Sequence, residues 1–199
     1  MSLHDASKDL RYLLNRGYGK SSAVTFVCNH YQLTRKDRHF LVRSIFSDTH
    51  VKTACEKKLP LHKIRGEPLT VDGFNVLITT DAVLKNEAFL CDDSVVRDAL
   101  GIFGKYKITE ATYTALDAIY EVINECHPKE VTFYFDQQVS HSGKLCKSVR
   151  DHFSCTTAAH VDLLLAHLNK ITATSDSILI EKLTHFVDIP FEILLSKNL

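Results

Sequence analysis

Long apolar runs are missing from this 199-residue sequence: no stretch approaches the roughly 20 residues that a membrane-spanning helix needs. Residues 1–8 lack the apolar core of a secretory signal, so a cytoplasmic protein with no membrane partner is the expectation. The six cysteines (Cys28, Cys55, Cys91, Cys126, Cys146 and Cys155) stand singly, without a C-x-x-C pair. That spacing argues against a zinc knuckle or redox motif and predicts reduced thiols in a chain long enough to build its own core. Also absent are H-E-x-x-H, a G-x-S-x-G elbow, a Walker spacing and a glycine-rich dinucleotide turn. Their absence gives no support to zincin, serine-hydrolase, P-loop or Rossmann dinucleotide chemistry. No internal repeat or low-complexity tract breaks the chain.

What is present is an ordinary globular composition, 45% apolar and 24% charged, with formal net charge zero. That neutrality hides a division. Residues 1–66 carry 13 Lys and Arg against 5 Asp and Glu; residues 67–199 carry 11 against 19. A basic segment of this kind fits a polyanion such as nucleic acid. It equally fits a basic face docked on the acidic part, within one chain or across a homodimer.

The first 60 residues show helical periodicity. A helix over 5–15 ends at Gly17, and a second, capped by Ser21 or Ser22, carries Ala23, Val24, Val27 and Tyr31 on one stripe. Thr34 caps a third through Phe40, Leu41, Ile45 and Phe46, and a fourth runs from Asp48 to before Pro60. The second and third have helix-turn-helix dimensions, with Arg35, Lys36 and Arg38 where a recognition helix would meet nucleic acid. A solvated, charged first turn is the plainer reading of those three.

Beyond a linker at 61–67 the pattern becomes β-rich and then alternates. Strands are predicted over 69–78, 131–135, 156–161, 171–174 and 185–187. Helices are predicted over 94–126 (two, meeting near Gly104), 143–153, 162–168, 178–183 and from Phe191 onward. Alternation of this kind implies an α/β fold with a parallel sheet and right-handed crossovers. The expected organisation is a basic all-α module over residues 1–66 and an α/β domain over residues 67–199.

Asp72, Asp136 and Asp176 each follow a predicted strand, where open parallel sheets bind ligands. Carboxylates gathered there repel one another, and a hard divalent cation, Mg²⁺ or Mn²⁺, relieves that repulsion. Such a site activates water for attack on a phosphodiester. Each aspartate alone also suits a helix cap; a cap at Asp176, or Asp72 and Asp136 too far apart to share one ion, would sink the metal reading. Asn75 is placed to orient Asp72, and Gly73 to let backbone approach closely. Ser140, His141, Ser142, Gly143 and Lys144 open a helix after Asp136, with Ser140, Ser142, Gly143 and Lys144 suited to a phosphate cradle or to plain helix-start chemistry.

The run Val71-Asp72-Gly73-Phe74-Asn75-Val76 resembles the opening strand of the PIN-like nuclease superfamily, particularly its NYN branch, where Asp-Gly-x-Asn-Val recurs. Ala173-Thr174-Ser175-Asp176 is similar to a later strand of that superfamily, and Phe133-Tyr134-Phe135-Asp136 to the one between. This resemblance implies a Rossmann-like three-layer domain and a metal-dependent nuclease acting on RNA. It implies Asp72, Asp136, Asp162 and Asp176 as metal ligands, joined by a helix acid for which Asp92, Asp93 and Asp98 compete. The chain also resembles, over nearly its full length, the domain-of-unknown-function family 434, through residues 11–18, 91–98, 104–107 and 140–143. That family implies no particular chemistry, so a non-catalytic nucleic-acid or nucleotide-binding regulator stands beside the nuclease, as does a protein-interaction module.

Overall fold

The computed structural model describes residues 3–99 and 106–197. Four helices come first: α1 (Leu3–Asn15), α2 (Lys20–His30), α3 (Arg35–Ser44) and α4 (Asp48–Lys57). Gly17, at φ +81°, supports the turn after α1, and Thr34 and Ser47 cap α3 and α4 by accepting the backbone N–H groups of Asp37 and His50. α2 opens at Lys20 behind Gly19 with no side-chain cap, so neither Ser21 nor Ser22 plays the capping part expected of it. Ala6, Leu10, Val24, Val27 and Leu41 make a core shared by α1, α2 and α3.

The sheet follows. β1 (Pro68–Asp72), β4 (Glu130–Asp136), β5 (Ser154–Ala158), β6 (Ile171–Ala173) and β7 (Phe186–Val187) run parallel in the order β5-β4-β1-β6-β7. β2 (Ala88–Leu90) and β3 (Val96–Asp98) form a separate antiparallel ribbon. α5 (Gly73–Leu84), α6 (Glu110–Cys126), α7 (Ser142–Val149) and α10 (Ile189–Lys197) pack with Val71, Phe133 and Phe135 in the principal core. α8 (Val161–Leu168) and α9 (Ser177–Lys182) enclose a second core with Phe186, which Ala54 of α4 completes. Helices therefore cover both faces of a parallel sheet, as α/β crossovers require.

Three expectations need correction. The strand predicted over 69–78 ends at Asp72, and the remainder is helix α5. Nearly all of α5 is buried, from Phe74 through Val83. A helix buried all round shows no apolar stripe, and its sequence cannot be told from a buried strand by period. Of the helices predicted over 94–126, only α6 stands; residues 96–98 are strand, and the junction at Gly104 lies outside the described residues. Cys146 and Cys155 are joined in a disulfide, against the expectation of six reduced thiols. The reason is tertiary: α7 turns back onto β5 and brings Cα atoms nine residues apart to 5.5 Å.

The charge division is answered in part inside the chain. Arg11 bonds Asp92 at 2.6 Å, Arg43 bonds Asp98, His50 faces Asp93 and Glu181, and Lys58 reaches Asp188 at 3.2 Å. Basic residues of the helical segment thus meet acids of the α/β part. No helix among the described residues is long and apolar enough to cross a membrane.

Candidate functional site at the carboxyl ends of the strands

β1 lies at the centre of the sheet, with β4 on one side and β6 on the other. The chain winds from β1 through β4 to β5, then returns to β6 and β7 across β1. The crevice beyond the carboxyl ends of these strands is where such a switch in direction leaves room for a ligand. A cavity of about 210 Å³ is found there, lined by Asp72, Asp136 and Asp162 together with Phe74, His160 and Lys182.

Asp72 terminates β1 and is buried. Its Oδ2 accepts the Thr174 hydroxyl at 2.9 Å. Burial, followed by the charges of Asp162 and Asp176, pushes its carboxyl up to about 8, while Thr174 and the nearby Asn75 backbone pull the other way. Asp162, in the first turn of α8, is raised by desolvation and then by Asp176, with Asp136 adding and Lys182 opposing. Asp136 ends β4, and its Oδ1 accepts the Gln138 N–H at 2.7 Å.

Gly73 is what allows Asp72 to sit here. A Cβ at that position would stand 2.6 Å from Phe135 Cε1 and 2.8 Å from the Tyr134 carbonyl oxygen. Only a residue without a side chain lets α5 leave β1 this close to β4.

Asn75 lies in the first turn of α5, and its Oδ1 accepts the Ser175 N–H at 2.7 Å, tying α5 to the segment after β6. Asp176 caps α9: its Oδ1 accepts the N–H groups of Ile178 and Leu179 at 2.7 and 3.0 Å. Its charge acts on Asp72 and Asp162, but it does not line the cavity. Among the described residues, no three His, Cys, Asp or Glu side chains stand together as a ready-made metal cage. Asp176 is committed to a helix end, which removes the four-aspartate metal site expected from sequence; Asp72, Asp136 and Asp162 remain on one cavity without forming a ready-made cage.

Asp93 and Asp98 are engaged elsewhere. Asp93 is buried against Arg97, with two bonds of 2.7 Å. Burial alone would raise its carboxyl, but His50 and Arg97 outweigh that and hold it down at about 2. Asp98 pairs with Arg43. Asp92 accepts Arg11 and the Phe46 N–H. All three acids lie around the β2–β3 ribbon and join it to the helical segment. Ser140, Gly143 and Lys144 are exposed at the start of α7, Ser142 is buried there, and none lines the cavity. Arg35, Lys36 and Arg38 lie on α3, away from the cavity lining; Arg38 bonds Thr25 at 2.8 Å.

Sequence reasoning gave no part to Thr174, His160 or Lys182. Thr174 was legible to the extent that it stands two residues before Asp176, where its hydroxyl also accepts the Asp176 N–H at 3.1 Å. Lys182 and His160 carry no local signal; the packing of α8 and α9 against the strand ends brings them in.

A family model described as a domain of unknown function (DUF5616) matches residues 61–192. A second, described as a protein of unknown function (DUF434), matches residues 2–57, a narrower span than the near full-length resemblance. An uncharacterized protein of Methanocaldococcus jannaschii is 37% identical over 199 residues, covering 95% of each chain. No solved structure matches.

Proposed function

For a chain that belongs to the DUF5616 family and joins it to a DUF434 region, descriptions that name no activity, we propose a metal-dependent phosphodiesterase of the PIN-like kind, acting on RNA. The observation that carries this reading is the convergence of Asp72, Asp136 and Asp162 on one cavity at the strand ends. Burial first, and then neighbouring carboxylates (Asp162 and Asp176 on Asp72; Asp176 and Asp136 on Asp162), raise both groups, which supports a site that a cation would relieve. The donors are hard oxygens and suit Mg²⁺ or Mn²⁺. With no closed cage, the fit is to an ion held by one or two carboxylates, with waters and substrate phosphate completing its shell. Such an ion would supply charge neutralisation at the phosphoryl oxygens.

The chain's own residues supply the rest. Thr174 fixes the orientation of Asp72, and Asn75 holds the segment carrying Thr174. Asp136 and Asp162 flank the space left for a phosphodiester and the attacking water. Lys182, on the cavity wall, offers a positive charge to a phosphate oxygen. RNA is favoured over DNA only by the family resemblance, that of residues 71–76 to the NYN branch and of residues 173–176 to the wider PIN-like superfamily.

The test is incubation of single-stranded RNA with the full chain in Mn²⁺ or in EDTA. Cleavage that needs Mn²⁺ and falls at least 100-fold in Asp72→Asn and Asp136→Asn supports the reading. Absence of cleavage, or cleavage unaffected by either substitution, sinks it.

A further inference from the structure

A second cavity, of about 380 Å³, lies between the helical segment and α9. Tyr18, Lys20 and Phe46 line it from one side, and Ser177, Ile178 and Glu181 from the other. Its size falls within the roughly 300–1,000 Å³ of small-ligand and nucleobase pockets. α9 also forms part of the acidic cavity, through Lys182. Ile178 and Lys182 are one helical turn apart, about 6 Å along the axis. α9 therefore borders both cavities.

Two large apolar side chains remain in water at this cleft: Tyr18 is 58% exposed and Ile178 63%. Lys20 contributes the cationic chemistry. Lys20 Nζ sits 3.5 Å from the centroid of the Phe46 ring, and burial pulls its amine down to about 8. The acid of the cleft, Glu181, is already bonded to His50 at 2.9 Å. On α1, Tyr12 is 57% exposed beneath the Arg16 guanidinium at 4.8 Å. A groove lined by Lys8 and Tyr12 lies on that helix, beside Arg11, which Asp92 already holds. Exposed aromatics interleaved with cations suit unpaired bases, which stack on rings while their phosphates meet the cations.

We propose that the cleft between Tyr18 and Ile178 takes a base of single-stranded nucleic acid next to the phosphodiester held in the acidic cavity, with the α1 face carrying the strand onward. This rests on the phosphodiesterase reading for the direction of the strand, and its test is kept apart from cleavage. A fluorescein-labelled single-stranded RNA is titrated with the full chain in EDTA and followed by anisotropy. Stacking on one aromatic contributes enough that Tyr18→Ala is expected to raise Kd at least fivefold. Tyr18→Phe restores it, Ile178→Ser weakens binding, and Tyr113→Ala on α6 leaves it unchanged. A duplex of the same sequence binds more weakly than the single strand and ignores Tyr18→Ala.

The proposal is overturned if wild-type and Tyr18→Ala chains bind alike, if the single strand does not bind at low salt, or if duplex binds as tightly as single strand. Binding with this variant pattern but no Mn²⁺-dependent cleavage supports the cleft and sinks the phosphodiesterase. Cleavage with Tyr18 irrelevant to binding does the reverse.

Discussion

The Thr174 hydroxyl donates to Asp72 Oδ2 at 2.9 Å and accepts the Asp176 N–H at 3.1 Å, so one oxygen joins the acid at the end of β1 to the backbone that follows β6. This bond works against the burial and like charge that raise Asp72. Thr174→Val removes it while keeping the volume. The Asp72 titration, followed by carbon-13 NMR, is expected to move upward from about 8 in Thr174→Val and to return in Thr174→Ser. A titration that does not move would separate Thr174 from the site.

Asp72 also sets a pH dependence. Its folded carboxyl titrates near 8, against an ordinary value of 3.8. Below the ordinary value, folded and unfolded chains both hold the proton and stability is whole. As pH rises from there through about 8, the unfolded chain releases its proton first and stability is lost. In EDTA, Asp72→Asn is therefore expected to raise Tm at pH 8.5 by at least ~3 °C, about 1 kcal/mol for a chain of this length, and by little at pH 4. Differential scanning fluorimetry across that range decides it; equal Tm values at pH 8.5 contradict the buried, unrelieved charge.

Asp93 has the opposite sign. Held at about 2, it stabilises the fold above the ordinary carboxylate value, and that contribution is lost as pH falls toward 2. Arg97 donates to both oxygens of Asp93 and its Nε also reaches the Ser175 carbonyl oxygen at 2.8 Å. Arg97→Met leaves the Asp93 charge buried and is expected to cost about 3–5 kcal/mol in urea unfolding. A loss under 1 kcal/mol would mean that Asp93 finds other partners.

The difference between Asp72 and Asp93 marks what could be read from the residues alone. The strand-end position of Asp136 was legible, because a short β-rich run stops at it, whereas the β-rich run around Asp72 continued to residue 78 and hid where β1 ends. That Asp93 is neutralised by Arg97 was not legible, since Asp93 sits in the turn between β2 and β3 and Arg97 in β3, where a helix was expected from residue 94. Asp162 was legible as a helix-opening acid, and the structure brings it to the cavity. Asp176 was legible as either a ligand or a cap, and its bonds to Ile178 and Leu179 make it a cap. The parallel sheet was evident from alternation, whereas α5 was hidden by its near-complete burial. The basic segment suggested a polyanion, yet Arg11, Arg43 and Lys58 are spent on Asp92, Asp98 and Asp188.

Gly73 gives a prediction about architecture. With Phe135 and the Tyr134 carbonyl oxygen both under 3.0 Å from an added Cβ, Gly73→Ala must displace strand or helix. Overpacking of this kind costs about 1–3 kcal/mol. Urea unfolding is expected to show that loss, with Phe135→Leu partly rescuing it; a neutral Gly73→Ala would show that α5 can shift freely.

The disulfide is checked by counting thiols. Iodoacetamide under denaturing, non-reducing conditions is expected to label Cys28, Cys55, Cys91 and Cys126 and to spare Cys146 and Cys155 until reductant is added. Six labels without reductant would place the pair in the thiol state.

The binding of Mn²⁺ itself, followed by calorimetry at pH 8 without nucleic acid, bears on the acidic cavity with the fewest intervening steps. One ion per chain is expected, with affinity reduced at least tenfold in Asp72→Asn and in Asp136→Asn and unchanged in Asp93→Asn, whose carboxylate belongs to Arg97. No binding, or binding that survives both cavity substitutions, would contradict a metal site at the ends of β1 and β4.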